Sequence, residues 1–382
     1  LLHNFTLNFN EYIFNTFLMK KLKLISYVMI AASSMLFMQC TSDEIVGPAG
    51  ADGINGVDGV DGTDGTDGTD GTDGLGAGSC ITCHSNEHRE PIEASYALSG
   101  HAIQTIMYTG QTLAEYANFG GGAGCAECHS NEGYIDYITT GEIQVAPYSS
   151  PTAISCTACH DNHETFDFEN DGYDYALRNF DPVPLRKVNE DYVIDYGDKS
   201  NVCITCHQPR TIPRLDADED GLIEVPNRYG PHYGAQSIML EGIYGAEIAG
   251  DIEYPAAVSS THRNGASCVS CHMGEPNSAD EDGLHSMSRT FTACTTCHSD
   301  GESLMNNLQT EITGLMNELE VLFEAEGLLD AEGNLVYDVD YPKDVADAYW
   351  NYKFVYYDHS NGVHNPTYAR ALLNNSIQAL QN

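Results

Sequence analysis

Six times in this chain, two cysteines three positions apart are followed directly by a histidine. The copies are Cys80-Ile-Thr-Cys83-His84, Cys125-Ala-Glu-Cys128-His129, Cys156-Thr-Ala-Cys159-His160, Cys203-Ile-Thr-Cys206-His207, Cys268-Val-Ser-Cys271-His272 and Cys294-Thr-Thr-Cys297-His298. Thiols so spaced can add to the two vinyl groups of one porphyrin, and the following histidine is then held beneath the iron. The chemistry this implies is one-electron transfer. The six copies use twelve of the thirteen cysteines. A zinc ribbon pairs two such knuckles and needs no histidine after each. A thioredoxin-like motif occurs once, at a strand-to-helix junction. A disulfide framework does not repeat one spacing with the same following residue. The expectation is six haem c groups, with His84, His129, His160, His207, His272 and His298 as proximal iron ligands.

An iron closed on both faces needs a second ligand. The chain has fifteen histidines; six follow the cysteines, His3 lies in the leader, and eight remain. These are His88, His101, His163, His232, His262, His285, His359 and His364. Ser99-Gly-His101, Pro231-His232-Tyr233, Gly283-Leu-His285 and Gly362-Val-His364-Asn365-Pro366 resemble distal-ligand segments of multihaem cytochromes, as does His262, six residues before Cys268. His163 follows its motif as Cys-His160-x-x-His163, resembling packed haem pairs in which such a histidine serves the neighbouring haem. The expected distal ligands are His101, His163, His232, His262, His285 and His364, with His88 and His359 in reserve. Which serves which iron is not readable from spacing.

The surrounding elements must position these groups. By length, 382 residues allow two domains, but porphyrin would replace much of the apolar interior, so a small side-chain core is expected. The fold expected is mainly α with much irregular loop. Leu304, Leu308, Ile312, Leu315, Leu319 and Leu322 recur at helical spacing, which predicts a helix over 302–326. Asp330-Ala-Glu-Gly333-Asn334 reads as a turn, and two further helices follow. The organisation read from the chain is a leader and signal over 1–40, a tether over 41–78, a hexahaem domain over 79–300 and a helical region over 301–382 packing on it.

Met19-Lys20-Lys21-Leu22-Lys23 opens a basic n-region, an apolar stretch runs to Met38, and Gln39-Cys40 follows. That is the layout of a secretory signal starting at Met19, with Cys40 where a bacterial lipoprotein carries its lipid. Cleavage elsewhere or an uncleaved anchor is the alternative. Thr41-Ser-Asp-Glu44 resembles acidic sorting signals for the outer surface. From Gly47 to Gly74 every third residue is glycine, resembling bacterial collagen-like segments. An acidic, self-repelling spacer is the simpler reading; fully extended it reaches about 80 Å at roughly 3.1 Å per residue. The expected location is an exported outer-membrane lipoprotein, facing the periplasm or the cell surface.

The net charge of −40 argues against nucleic acid as a partner. It suits solubility, or steering of cationic redox partners. Asp216-Ala-Asp218-Glu-Asp220-Gly221 opens like a calcium loop, but its twelfth residue is Asn227. A solvated acidic loop is the favoured reading over a Ca2+ site.

The stretch Trp350-Asn-Tyr352-Lys353-Phe354-Val-Tyr356-Tyr357-Asp358-His359-Ser-Asn-Gly362-Val-His364-Asn-Pro366, with Tyr368-Ala-Arg370 and Leu372-Leu373 beyond it, resembles the C-terminal region of multihaem cytochromes related to ammonia-forming cytochrome c nitrite reductase. The resemblance implies a helix, a turn bearing a ligand histidine, and another helix, together with a possible homodimer. That family attaches its catalytic haem through Cys-x-x-Cys-Lys, whereas all six motifs here end in histidine. Arg210, Arg214 and Arg228 are read as propionate partners. The reading favoured is therefore an electron carrier passing electrons to redox proteins or extracellular acceptors through bis-histidine haems. The alternatives are a nitrite, hydroxylamine or sulfite reductase with one open haem, and a structural filament or tether-mediated trimer.

Overall fold

In the computed structural model, the chain divides into units at residues 1–71 and 72–382. The structure describes residues 77–102, 123–144, 148, 151–163, 165–166, 175–186, 189–210, 214–276 and 283–381. The leader, Cys40 and the glycine-repeat tract lie outside the described residues.

Among the described residues the fold is mainly α-helical with long irregular connections. The first motif lies on α1 (Ala77–His84), followed by α2 (Asn86–Ala97), which leads to His101. The second ends α3 (Ala123–His129), with α4 (Asn131–Thr140) folded back on it, and the third forms α5 (Cys156–Cys159). A short hairpin, β1 (Val183–Leu185) and β2 (Asn189–Ile194), precedes α6 (Asn201–Ile204) and the fourth motif. Strand β3 (Leu222–Val225), α7 (Gln236–Glu241) and α8 (Thr261–Gly265) lead to the fifth motif, on α9 (Cys268–His272). The sixth begins at the end of α10 (Phe291–Cys294).

These helices are short because their work is local. One helical turn puts residues three apart on the same face, which is what two thiols on one porphyrin require. The turn also brings the histidine amide onto the first cysteine: the N–H groups of His160, His207 and His298 donate to the carbonyls of Cys156, Cys203 and Cys294 at 2.9, 3.0 and 2.8 Å. Side-chain caps compensate for the small number of helical bonds. Ser267 and Ser270 form a reciprocal capping box on α9, and Thr290 caps α10. At α3 and α4 a glycine permits the fold-back, since a Cβ on Gly133 would lie 2.4 Å from the Ala126 carbonyl oxygen.

The C-terminal region is built differently. Helix α11 (Gly301–Ala325) is followed by strand β4 (Val339–Pro342), α12 (Lys343–Asp358) and α13 (Pro366–Gln381). The helix expected over 302–326 and the turn at 330–334 are both present; Asp330 and Asn334 close that turn through their backbones. The apolar stripe differs in part. Leu304 is 52% exposed, and the buried positions are Met305, Leu308, Ile312, Met316, Leu319 and Phe323. Methionine and phenylalanine complete the face that a leucine count alone shifts by one residue. Strand β4 was not expected. It pairs antiparallel with β3, with Ile223 opposite Tyr341, and both side chains are buried.

A small core describes only the first part of the chain. Before Val183 the buried apolar residues among those described are Ala126, Tyr134, Ala153 and Ala158. Beyond it, one core runs from Val183 and Leu185 through Ile238 and Met239 to α11, α12 and α13. Trp350 donates its indole N–H to the Tyr244 carbonyl at 2.9 Å, and Asn351 bridges the Ala246 backbone and Ser376. These bonds fix α12 against the 242–248 loop. The turn from α12 to α13 carries His364. Gly362 sits in it at φ +87°, with its virtual Cβ 2.9 Å from Ile312 Cγ1, so the turn needs glycine for two reasons. Asn365 then caps α13 by accepting from the Tyr368 N–H, and Pro366 occupies the first helical position.

Candidate haem sites

The six motif histidines do not cluster with one another. Each faces one histidine from elsewhere in the chain. The ring centroids of His84 and His163 are 6.1 Å apart, and those of His129 and His232 are 6.4 Å apart. His160 faces His285 at 6.3 Å, and His207 faces His101 at 6.2 Å. His272 faces His364 at 6.3 Å, and His298 faces His262 at 6.3 Å. The six partners are the six histidines singled out by counting and context. His88 and His359 stand outside these pairs; the His359 ring instead stacks on Tyr233 at 6.1 Å.

The uniform distance fits one metal between each pair of rings. Two metal–imidazole bonds of about 2.0 Å each, plus about one ångström from each nitrogen to its ring centre, would separate the centroids by about 6 Å. The paired thiols of each motif lie one helical turn before one of the two rings. The residues therefore fit a haem c held between two imidazoles. Among the described residues, no group of three or more His, Cys, Asp or Glu side chains is placed to hold a metal ion by itself, as a zinc knuckle would need.

The ring orientation is set from behind. A ligating imidazole is usually fixed by a bond to its other nitrogen. His160, His262 and His272 place Nδ1 against the backbone carbonyls of Tyr175, Val363 and Met287 at 2.8, 2.7 and 2.9 Å. His207 faces the Gln236 side-chain oxygen at 3.2 Å, His101 the Met287 sulfur at 2.8 Å, and His364 the Asp358 carboxylate at 2.6 Å. In all six, Nδ1 is engaged, which leaves Nε2 as the nitrogen that could bind iron.

Burial favours the neutral form in six of these twelve rings. It lowers the pKa of His129, His207, His272 and His285. Burial, then the neighbouring His207, brings His101 down to about 4; burial, then His129, does the same for His232. His364 goes the other way. Burial pulls its pKa down, but the Asp358 carboxylate outweighs that and raises it.

Neighbouring sites touch. The Cys203 thiol contacts that of Cys268, and the Cys206 thiol contacts that of Cys128. The fourth motif thus lies against both the second and the fifth. Of the three arginines read as propionate partners, Arg210 pairs with the buried Glu127 and approaches Cys128, which puts it beside the second motif. Arg214 instead pairs with Asp347 of α12 at 2.8 Å. Arg228 lies near enough to His232 for its charge to help lower that pKa.

The acidic loop at 216–221 is organised from within. Asp218 Oδ1 accepts the N–H groups of Asp220 and Leu222 at 3.0 and 2.8 Å. That carboxylate shapes the turn into β3. Among the described residues, Asp216, Asp218 and Asp220 do not form a group placed to hold a metal ion. Residues that sequence reasoning missed are Asp358, Gln236 and Met287. Their types carry no signal for a role beside these histidines, and only their positions next to His364, His207 and His101 reveal it.

Two families of cytochromes match the chain. "Outer membrane cytochrome MtrC/MtrF-like, domains II/IV" matches residues 66–217, and "Cytochrome c552" matches residues 253–382. The chain is similar to multihaem c-type cytochromes. The C-type polyheme cytochrome OmcB of Geobacter sulfurreducens, in two strains, is 28% identical over 279 residues. The match covers 58% of this chain and 37% of the relative's length, so this chain spans well under half of that protein. Among solved structures, the outer cell wall cytochrome OcwA has a TM-score of 0.45 and 21% identity, over 75% of this chain and 50% of its own. An undecaheme cytochrome from the S-layer of Carboxydothermus ferrireducens has a TM-score of 0.42 and 18% identity, over 70% and 40%. With the six motifs, similarity to c-type multihaem cytochromes implies haem c as the cofactor.

Proposed function

We propose that this chain is a hexahaem electron-transfer protein in which every iron is closed by two histidines. The observation that carries the reading is the one-to-one pairing of six motif histidines with six others at 6.1–6.4 Å. Haem c supplies a one-electron ferric/ferrous couple when attached. The chain's own residues do the rest. The cysteine pairs anchor, the histidine pairs hold both axial positions, and the groups behind Nδ1 keep the rings from turning. An iron with two fixed ligands changes little on reduction, which favours transfer over substrate binding. The contacts of the fourth motif's thiols with those of the second and fifth support passage between sites.

The sequence supports export and lipid attachment at Cys40, with the glycine-repeat tract as a spacer. The outer-membrane description of the family matched at residues 66–217 agrees with that location.

Intact mass of the exported protein tests the count, with six haems expected. Electron paramagnetic resonance of the oxidised protein tests the ligation. Six low-spin irons are expected; a substantial high-spin fraction that binds nitrite or hydroxylamine would replace this reading with the reductase one. Replacing Cys40 by serine should abolish incorporation of labelled palmitate.

A further inference from the structure

The pair His272–His364 has a carboxylate behind one ring, which its neighbour His207–His101 lacks. His364 Nδ1 lies 2.6 Å from Asp358 Oδ1, and Asp358 is 1% exposed. The second carboxylate oxygen accepts the Ser360 hydroxyl, and the Ser360 oxygen in turn accepts the His364 backbone N–H at 3.2 Å. The carboxylate is thereby held in place, out of water, against one ring.

The other groups behind these two pairs are neutral. His272 faces the Met287 carbonyl and His101 the Met287 sulfur. His207 faces Gln236, whose orientation is decided at its far end. There Nε2 donates to the carbonyls of Tyr233 and Tyr357 at 3.2 Å and of Asp358 at 3.3 Å. With the amide nitrogen committed to three carbonyls, the oxygen must be the atom facing His207, and it carries no charge.

The two sites are in contact. The Cys203 and Cys268 thiols touch, Met287 stands behind a ring of each pair, and Gln236 joins His207 to the Asp358 backbone. A difference in potential between them would therefore act on transfer between neighbours.

A carboxylate that accepts the Nδ1 proton draws that proton away and makes the imidazole a stronger electron donor. Its fixed negative charge in a low-dielectric site also favours the ferric over the ferrous iron. Both effects lower the reduction potential. We propose that Asp358 sets a step in potential between two adjoining haems, making the haem at His272 and His364 harder to reduce than the haem at His101 and His207. The step rests on the reading above that these pairs ligate iron. One electron then passes downhill from ferrous iron at the first site to ferric iron at the second, with no proton needed to balance it.

The test is a redox titration of the full-length holoprotein, followed by paramagnetic resonance. In Asp358→Asn, one low-spin centre is expected to become easier to reduce by about tenfold in its equilibrium constant, about 59 mV for one electron. Ser360→Ala removes a donor from the carboxylate, leaves it more basic, and is expected to move the same centre in the opposite direction. Unchanged midpoints in both variants, with all low-spin signals kept, would overturn the proposal. If Asp358→Asn loses the haem, Ser360→Ala decides alone: a downward shift of one centre supports the step, and no shift overturns it. Failure of the ligand reading looks different, because the unsubstituted protein would then already show missing haems or high-spin iron.

Discussion

His163 lies three residues beyond His160, yet its ring is 6.1 Å from that of His84, on the first motif. His160 itself faces His285, far along the chain, at 6.3 Å. The short spacing joins two sites rather than completing one, so that a single loop holds a ring from each. In His163→Ala, one iron of the six should become high-spin and bind carbon monoxide, with all haems still attached. Removing Cys80 and Cys83 in the same variant should abolish that signal, because the exposed iron belongs to the first motif. If the signal persists, His163 serves another site.

The planes of the paired rings predict the resonance spectrum. Four pairs are crossed, at 81°, 83°, 89° and 62°, and two are tilted, at 33° and 44°. Crossed planes leave the iron orbitals that bond with them nearly degenerate, and the low-spin ferric signal is then strongly anisotropic. Planes nearer parallel split those orbitals and give a rhombic signal. The oxidised protein should show both types, with the anisotropic type about twice as abundant by spin integration, as four pairs against two require.

Two glycines in the C-terminal region should respond oppositely to alanine. Gly362 combines a left-handed φ of +87° with close approach to Ile312, and Gly362→Ala should cost about 1–3 kcal/mol. Gly314 is exposed in the middle of α11, with nothing within 4 Å of a virtual Cβ. Gly314→Ala should stabilise by about 1 kcal/mol. Chemical denaturation followed by far-ultraviolet circular dichroism reads both.

Lys353 gives a pH signature apart from the haem sites. Burial outweighs the nearby Glu320 and lowers its pKa from 10.5 to about 8. The unfolded chain binds this proton more tightly than the folded one. Folding stability should therefore rise with pH as Lys353 deprotonates, from about 8 towards 10.5. Above about 10 the trend is opposed, because burial raises the pKa of the neighbouring Tyr349, Tyr352 and Tyr357 and unfolded tyrosines ionise first. Lys353→Met should remove the rise between pH 8 and 10, measured by denaturation at each pH.

Much of the site could be read from the chain because its rules are local. A thioether pair and its histidine need one helical turn, so five consecutive residues carry the whole instruction. Six such motifs and a surplus of histidines were enough to name twelve residues that the fold then brings into six pairs. Helix α11 was legible for a similar reason, since a stripe of apolar residues repeats along it. Strand β4 was not, because its register depends on β3, more than a hundred residues earlier in the chain. The core is larger than the sequence implies because burial of Val183–Ile248 depends on α11, α12 and α13 closing over it.

The sequence alone settles the number and place of the Cys-x-x-Cys-His motifs and the set of histidines available to face them. Tertiary structure decided which histidine faces which, because the two rings of a pair come from segments whose separation along the chain says nothing of their distance in space. It also decided that Asp358, rather than a neutral group, stands behind His364. A hydrogen bond needs both side chains within reach of each other, and only the turn between α12 and α13 brings these two together.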